Sequence, residues 1–139
     1  MSRNRTNRIL AATLAIGLLL VVPASVSAGS RAGVWRGSTS ESENVRFKIG
    51  DDQRIRSFTI TVTVHGATCD IGVALVAKGL DTPVKNDSFR VTAHEGSSTV
   101  VAKGTFTSLR RATGTARVVE NGGDCGDGTG HADWKAALQ

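Results

Sequence analysis

Arg54-Ile55-Arg56-Ser57-Phe58-Thr59-Ile60-Thr61-Val62-Thr63-Val64 is the stretch that decides how this chain folds. From Phe58 onward, apolar and hydroxyl side chains alternate. Phe58, Ile60, Val62 and Val64 fall on one face, and Thr59, Thr61 and Thr63 on the other. A period of two marks an extended strand whose two faces see different surroundings. Ile55 is out of phase with that row, which predicts a bulge near Arg56-Ser57. The Phe58–Val64 segment is also uncharged, largely β-branched and free of Gly and Pro. On an open edge it would recruit other chains, so it is expected inside a sheet with a neighbour on each side.

The same alternation recurs on both sides. Upstream, Val34–Ser38 reads as a first strand carrying Trp35. Val45, Phe47 and Ile49 then alternate with Arg46 and Lys48, and Gly50-Asp51-Asp52-Gln53 makes a turn. Downstream, Cys69, Ile71, Val73, Leu75 and Ala77 share one side, and Lys78–Asp87 is expected as a longer connection holding Pro83. Ser88–His94 follows with Phe89, Val91 and Ala93 inward, then a turn at Glu95-Gly96-Ser97. In Thr99–Thr107 the apolar row Val100, Ala102, Gly104 and Phe106 is preferred over Val101, Lys103 and Thr105 as the inward one. Leu109-Arg110-Arg111 makes a tight connection into Ala112–Val119. Asn121–Gly130 reads as a glycine-rich loop carrying Cys125, and His131–Ala137, with Trp134, as the last strand. About eight short strands at this spacing predict an all-β domain, an antiparallel β-sandwich or small barrel. The small residues Gly104, Ala112, Gly114 and Ala116 suit tight curvature or close packing. Closure of a barrel would bring the strands of Trp35 and Trp134 together.

The chain begins with a different kind of segment. Arg3, Arg5 and Arg8 precede an apolar run from Ile9 to Val22, Pro23 ends it, and Val26-Ser27-Ala28 supplies small residues for cleavage. This predicts a secretory signal peptide over residues 1–28, cleaved near Ala28, with residues 29–139 as a single β-domain. The apolar run is shorter than the ~20 residues of a membrane span, and no second one follows, so no stable membrane insertion is expected after cleavage. Three of the 17 basic residues and none of the 12 acidic ones lie in residues 1–28, which leaves +2 for the remainder. That balance gives no support to a nucleic-acid partner. Cys69 and Cys125 are the only cysteines. An even count in an exported chain predicts a disulfide, and closing so long a loop contributes about 4 kcal/mol at most.

Several quoted stretches have a familiar look together: Trp35-Arg36-Gly37-Ser38-Thr39-Ser40, Val45-Arg46-Phe47-Lys48-Ile49, Ala112-Thr113-Gly114-Thr115-Ala116-Arg117, the two cysteines, and Trp134-Lys135-Ala136. Over most of residues 33–136 the chain resembles a loose group of small exported bacterial β-domains of unassigned activity. The resemblance implies a β-rich fold and a two-cysteine link, and no catalytic or binding residue. Gly33-Val34-Trp35 is also similar to the opening of avidin-type and lipocalin-type barrels. Those line their cups with several aromatics, often Tyr, whereas this chain has six aromatics and no Tyr, so no ligand is carried over.

Asp124–Asp133 sets acidic residues among glycines, as a calcium loop would, but lacks the EF-hand spacing and closing Glu. His65, His94 and His131 lack zinc-ligand spacing. No Gly-x-Ser-x-Gly elbow is present. A glycosidase pair cannot be picked from Asp51, Asp52, Asp70, Glu95 and Asp133 by sequence. Arg110, Arg111 and Arg117, with Lys103 nearby, form a candidate basic contact patch for an anionic envelope polymer or lipid head group; the plain alternative is a solubilising hairpin tip. The expectation is a secreted, non-catalytic binding module at or outside the cell envelope, with no cofactor and with an envelope polymer or protein as partner. A structural or self-associating envelope component is the alternative, and a hydrolase a more distant one.

Overall fold

The computed structural model describes residues 31–139; the expected signal peptide and its cleavage site lie outside the described residues. The described residues form eight strands and no helix: β1 (Gly33–Thr39), β2 (Asn44–Ile49), β3 (Arg54–Gly66), β4 (Asp70–Pro83), β5 (Ser88–Glu95), β6 (Ser98–Phe106), β7 (Arg111–Gly123) and β8 (Gly126–Leu138). They make one antiparallel sheet in the order β4-β3-β2-β1-β8-β7-β6-β5. This is an up-and-down meander in which the first and last strands pair, Trp35 standing opposite Leu138 and Thr39 opposite Trp134. β4 and β5 share no ladder and form the sheet's two edges.

The lengths of the strands close part of the sheet. β1 and β2 are short, while β3 and β8 each run for 13 residues. Beyond the reach of the β1–β2 hairpin, β3 therefore meets β8 directly, pairing His65 with Thr129 and Gly66 with Gly128. The result is a closed four-stranded ring of β1, β2, β3 and β8. Glycine permits that closure: a Cβ at Gly130 would run into the Thr63 carbonyl, and one at Gly128 into the His65 carbonyl.

The inward rows are those the alternation predicts. Phe58, Ile60, Val62 and Val64 are fully buried, as are Val100 and Ala102. β3 has β2 on one side and β4 on the other, and its register slips between Ile55 and Ser57, at the predicted bulge. All six aromatic side chains converge on one cluster. Phe47 lies at its centre, stacked between Trp35 at 5.5 Å and Phe58 at 5.7 Å, with Phe89, Phe106 and Trp134 around it. Trp35 and Trp134 thus meet through Phe47. The glycines on β6 and β7 now have a reason, since a Cβ on Gly104 would run into the Phe89 and Trp134 rings, and one on Gly114 into the Lys103 carbonyl and the Trp134 ring.

Three expectations need correction. Residues 78–87 are no long connection: β4 continues to Pro83, and the chain turns on Asn86-Asp87, both at positive φ, between the bonded pair Lys85 and Ser88. That is the two-residue hairpin geometry, and Pro83 is tolerated because β4 is an edge. Residues 121–130 are no loop either; β7 runs to Gly123 and β8 starts at Gly126, leaving only a tight turn. Cys69 does not join the inward row of β4. It is exposed in the β3–β4 turn and bonds to the buried Cys125 in the β7–β8 turn, with a Cα–Cα distance of 5.0 Å. The disulfide therefore sits beside the β3–β8 ladder and fastens the ring where it closes.

Candidate functional site

An outward row faces water and is free of packing demands, so its composition is informative. On β1, β2 and β5–β8 that row carries eight cations: Arg36, Arg46, Lys48, Arg90, Lys103, Arg111, Arg117 and Lys135. Among the described residues none of the eight has an ion-pair partner. The paired arginines lie elsewhere, Arg31 with Asp87, and Arg54 and Arg56 with Asp81. Within the six strands the exposed acids are three: Asp127 and Asp133 of β8, the latter 3.3 Å from His131, and Glu95 at the end of β5.

Register groups the cations. Arg90 stands opposite Lys103, and Arg117 opposite both Val101 and His131. These residues line a shallow groove of about 450 Å³ with Thr99, Thr115 and Val119. At the other end of β7, Arg111 and Arg36 flank Ala137 from opposite sides, and Lys135 lies beside Thr113. Ser38, Thr105, Thr113 and Thr115 lie between the two groups and line a second groove together with Lys135 and Trp134. Hydroxyls between cations give a surface that can both hydrogen-bond and neutralise a polyanion. Two of its cross-strand pairs are like-charged, Arg36 opposite Arg46 and Arg90 opposite Lys103. Such pairs are unfavourable in a sheet.

Of the residues singled out from sequence, Arg111 and Arg117 share the outward row of β7, six residues and about 20 Å apart. Lys103 joins Arg117, one strand across. Arg110 is in the turn before β7, its guanidinium 3.5 Å from the Leu138 carbonyl. Arg36, Arg46, Lys48, Arg90 and Lys135 went unrecognised because each is alone or nearly so in its own strand. Their common signal was phase: every one sits out of step with the apolar row of its strand.

The histidines singled out from sequence each have a local partner. His65 lies 3.0 Å from Asp70, and His94 3.1 Å from the Thr99 hydroxyl. In the Asp124–Asp133 segment, Asp127 accepts a hydrogen bond from the Gly122 amide. Among the described residues no group of three or more His, Cys, Asp or Glu side chains could hold a metal ion. Sequence reading missed Glu120, which continues the inward row of β7 two residues past Val118 and is buried. The hydroxyls of Ser97 and Ser98 donate to its carboxylate and hold its pKa below the ordinary range, against the opposing effect of burial.

The chain matches no protein-family model, no curated protein and no solved structure. Its functional reading therefore rests on its own geometry.

Proposed function

We propose that this chain is an exported, non-catalytic binding domain whose basic sheet face holds an anionic polymer of the cell envelope. The observation that carries the reading is the set of eight cations on the outward rows of β1, β2 and β5–β8, without ion-pair partners among the described residues, with like charges directly opposite each other at two positions. A surface needed only for solubility has no use for that repulsion; neutralisation by a bound polyanion would relieve it. The character of residues 1–28 and the disulfide support a site of action outside the reducing cytoplasm. Nucleic acid is a poorer fit, because all six aromatic rings are committed to the core and none remains on the basic face to stack on a base.

The test is titration with a phosphate-linked wall polymer, an acidic polysaccharide and neutral dextran, each over a range of salt. Saturable binding to the charged polymers, weakening steeply as salt rises, is expected. Lys103→Glu with Arg117→Glu should weaken it about tenfold or more, whereas Arg54→Glu, away from the face, should leave it unchanged. Equal binding by the paired variant and the parent would overturn the assignment, as would binding to duplex DNA tighter than to either charged polymer.

A further inference from the structure

The exposed edge of β4 carries an inference independent of the basic face. Among the described residues β4 has a ladder with β3 only, so along its other side alternate amides and carbonyls have no strand partner there. Natural edges of this kind are usually guarded by charge, proline or a bulge. β4 has such guards at its ends and none between. Gly79, at φ 66°, breaks the strand's regularity, and Pro83 lies beyond it. From Asp70 to Lys78 the register with β3 is unbroken, and Ile71-Gly72-Val73-Ala74-Leu75-Val76-Ala77 contains no charge. Val76 is 49 % exposed and Ile71 36 %.

The ends of this straight segment are complementary. Its central residue is Ala74, four positions from Asp70 and four from Lys78. Antiparallel pairing of β4 with a second copy about a two-fold axis at Ala74 puts Asp70 of one chain opposite Lys78 of the other, twice. It also pairs Gly72 with Val76, Val73 with Leu75, and Ala74 with itself. Asp70, Gly72, Ala74, Val76 and Lys78 all lie on the outward row, so both sheets keep the same face to solvent across the join. Long-range electrostatics agrees. The straight segment of β4 balances one acid, Asp70, with one base, Lys78, and joining there keeps the two basic faces apart, whereas joining through β5 would bring Arg90 and its neighbours together.

We propose that β4 is a self-recognition edge that joins two copies of this chain into a closed, two-fold dimer by continuing the sheet through Ala74. An isologous contact of this kind uses each edge once and stops at two copies. Sedimentation of the disulfide-intact protein at tens of micromolar should give a dimer. Ala74→Lys, which sets two like charges against each other on the axis, should raise the dissociation constant about tenfold or more. Lys78→Asp should also weaken the dimer by setting acid against Asp70, and adding Asp70→Lys should restore it, which loss of folding could not mimic. Ala74→Cys should give a disulfide-linked dimer under mild oxidation, because residues directly opposite across strands lie within reach of such a bond. Thr92→Cys on β5 should not. A parent protein that stays monomeric, an Ala74→Lys protein that dimerises as well as the parent, or growth beyond two copies with cross-linking between Ala74→Cys and Thr92→Cys would each overturn the proposal.

Discussion

The β3–β4 hairpin and the rest of the sheet are built on the same inward rule and differ in what they show to water. Inward, both carry apolar residues, Phe58, Ile60, Val62 and Val64 on one side and Val100, Ala102 and Phe106 on the other, and these meet in one core. Outward, the straight part of the hairpin between Thr59 and Thr63 and between Gly72 and Val76 is uncharged, while β1, β2 and β5–β8 carry eight cations. The inward row is constrained by packing, where a change of one methylene is felt. The outward row pays little for its composition, and surface substitutions stay within about ±0.5 kcal/mol. A difference between two outward rows on one shared core is thus better read as a difference in what they contact than as a requirement of the fold.

The sharpest way to break the comparison is to separate the two regions where they are joined. The Cys69–Cys125 bond ties the β3–β4 turn to the β7–β8 turn, next to the two-residue β3–β8 ladder. Replacing both cysteines by serine should cost about 2–4 kcal/mol of stability, read as a lower denaturant midpoint with a somewhat steeper slope, because the unfolded chain without the cross-link exposes more surface. The shared aromatic core implies that both regions still unfold together, so near-UV and far-UV signals should fall in one transition. Two separated transitions would mean that the regions are independent units.

A smaller effect contrasts two carboxylates, one belonging to each region. Asp81, near the end of β4, is held below its ordinary pKa chiefly by a hydrogen bond from Arg54, with the charges of Arg54 and Arg56 adding to it. Its side chain is largely exposed, so salt screens the interaction. Glu120 is lowered by the Ser97 and Ser98 hydroxyls and is shielded from solvent. A carboxylate with a lowered pKa in the folded state binds its proton more weakly there than in the unfolded chain. It contributes its full stabilisation above the unfolded value, about 4.3 for Glu, and loses it as pH falls toward the folded one. Stability should therefore decline below about pH 4.3. Glu120→Gln should flatten part of that decline at any ionic strength, while the part removed by Asp81→Asn should shrink in high salt. Equal salt dependence for the two variants would erase the distinction.

How much of this was legible in the sequence follows from what each feature depends on. Alternation gives the strands, their inward rows and the bulge at Arg56-Ser57, because period and phase are local properties. The cysteine pairing came from count and expected compartment. The position of Cys69 did not, since a turn residue next to an alternating run continues its phase by accident. Gly and Pro misled at 78–87 and 121–130. Both residue types favour loops, but Gly79 marks an irregularity within an edge strand, and Gly128 and Gly130 are small because another backbone passes over them. The basic face was only partly visible. Arg110, Arg111 and Arg117 are neighbours in sequence, whereas Arg36, Arg46, Arg90 and Lys135 become neighbours only once the order of the strands is known.

The smallest predicted effect bears most directly on why the basic face exists. Arg46 stands opposite Arg36 on one side and opposite Thr59 of the uncharged hairpin on the other. Arg46→Thr removes a like-charge pair and sets Thr against Thr59, a favourable cross-strand match, so the folded domain should gain a few tenths of a kcal/mol, within the 0.2–1 kcal/mol range of such pairs. The gain should be largest at low salt and should fade as salt screens the repulsion it relieves. If the cations are kept for a polyanion, the same substitution should weaken binding of the phosphate-linked polymer even as the midpoint of unfolding rises. Stability and binding would then move in opposite directions, as they do where a site retains repulsion for the sake of its ligand. A variant that loses stability, or that gains it with polymer binding intact, would show that Arg46 answers to the fold alone and that the two outward rows differ without functional cause.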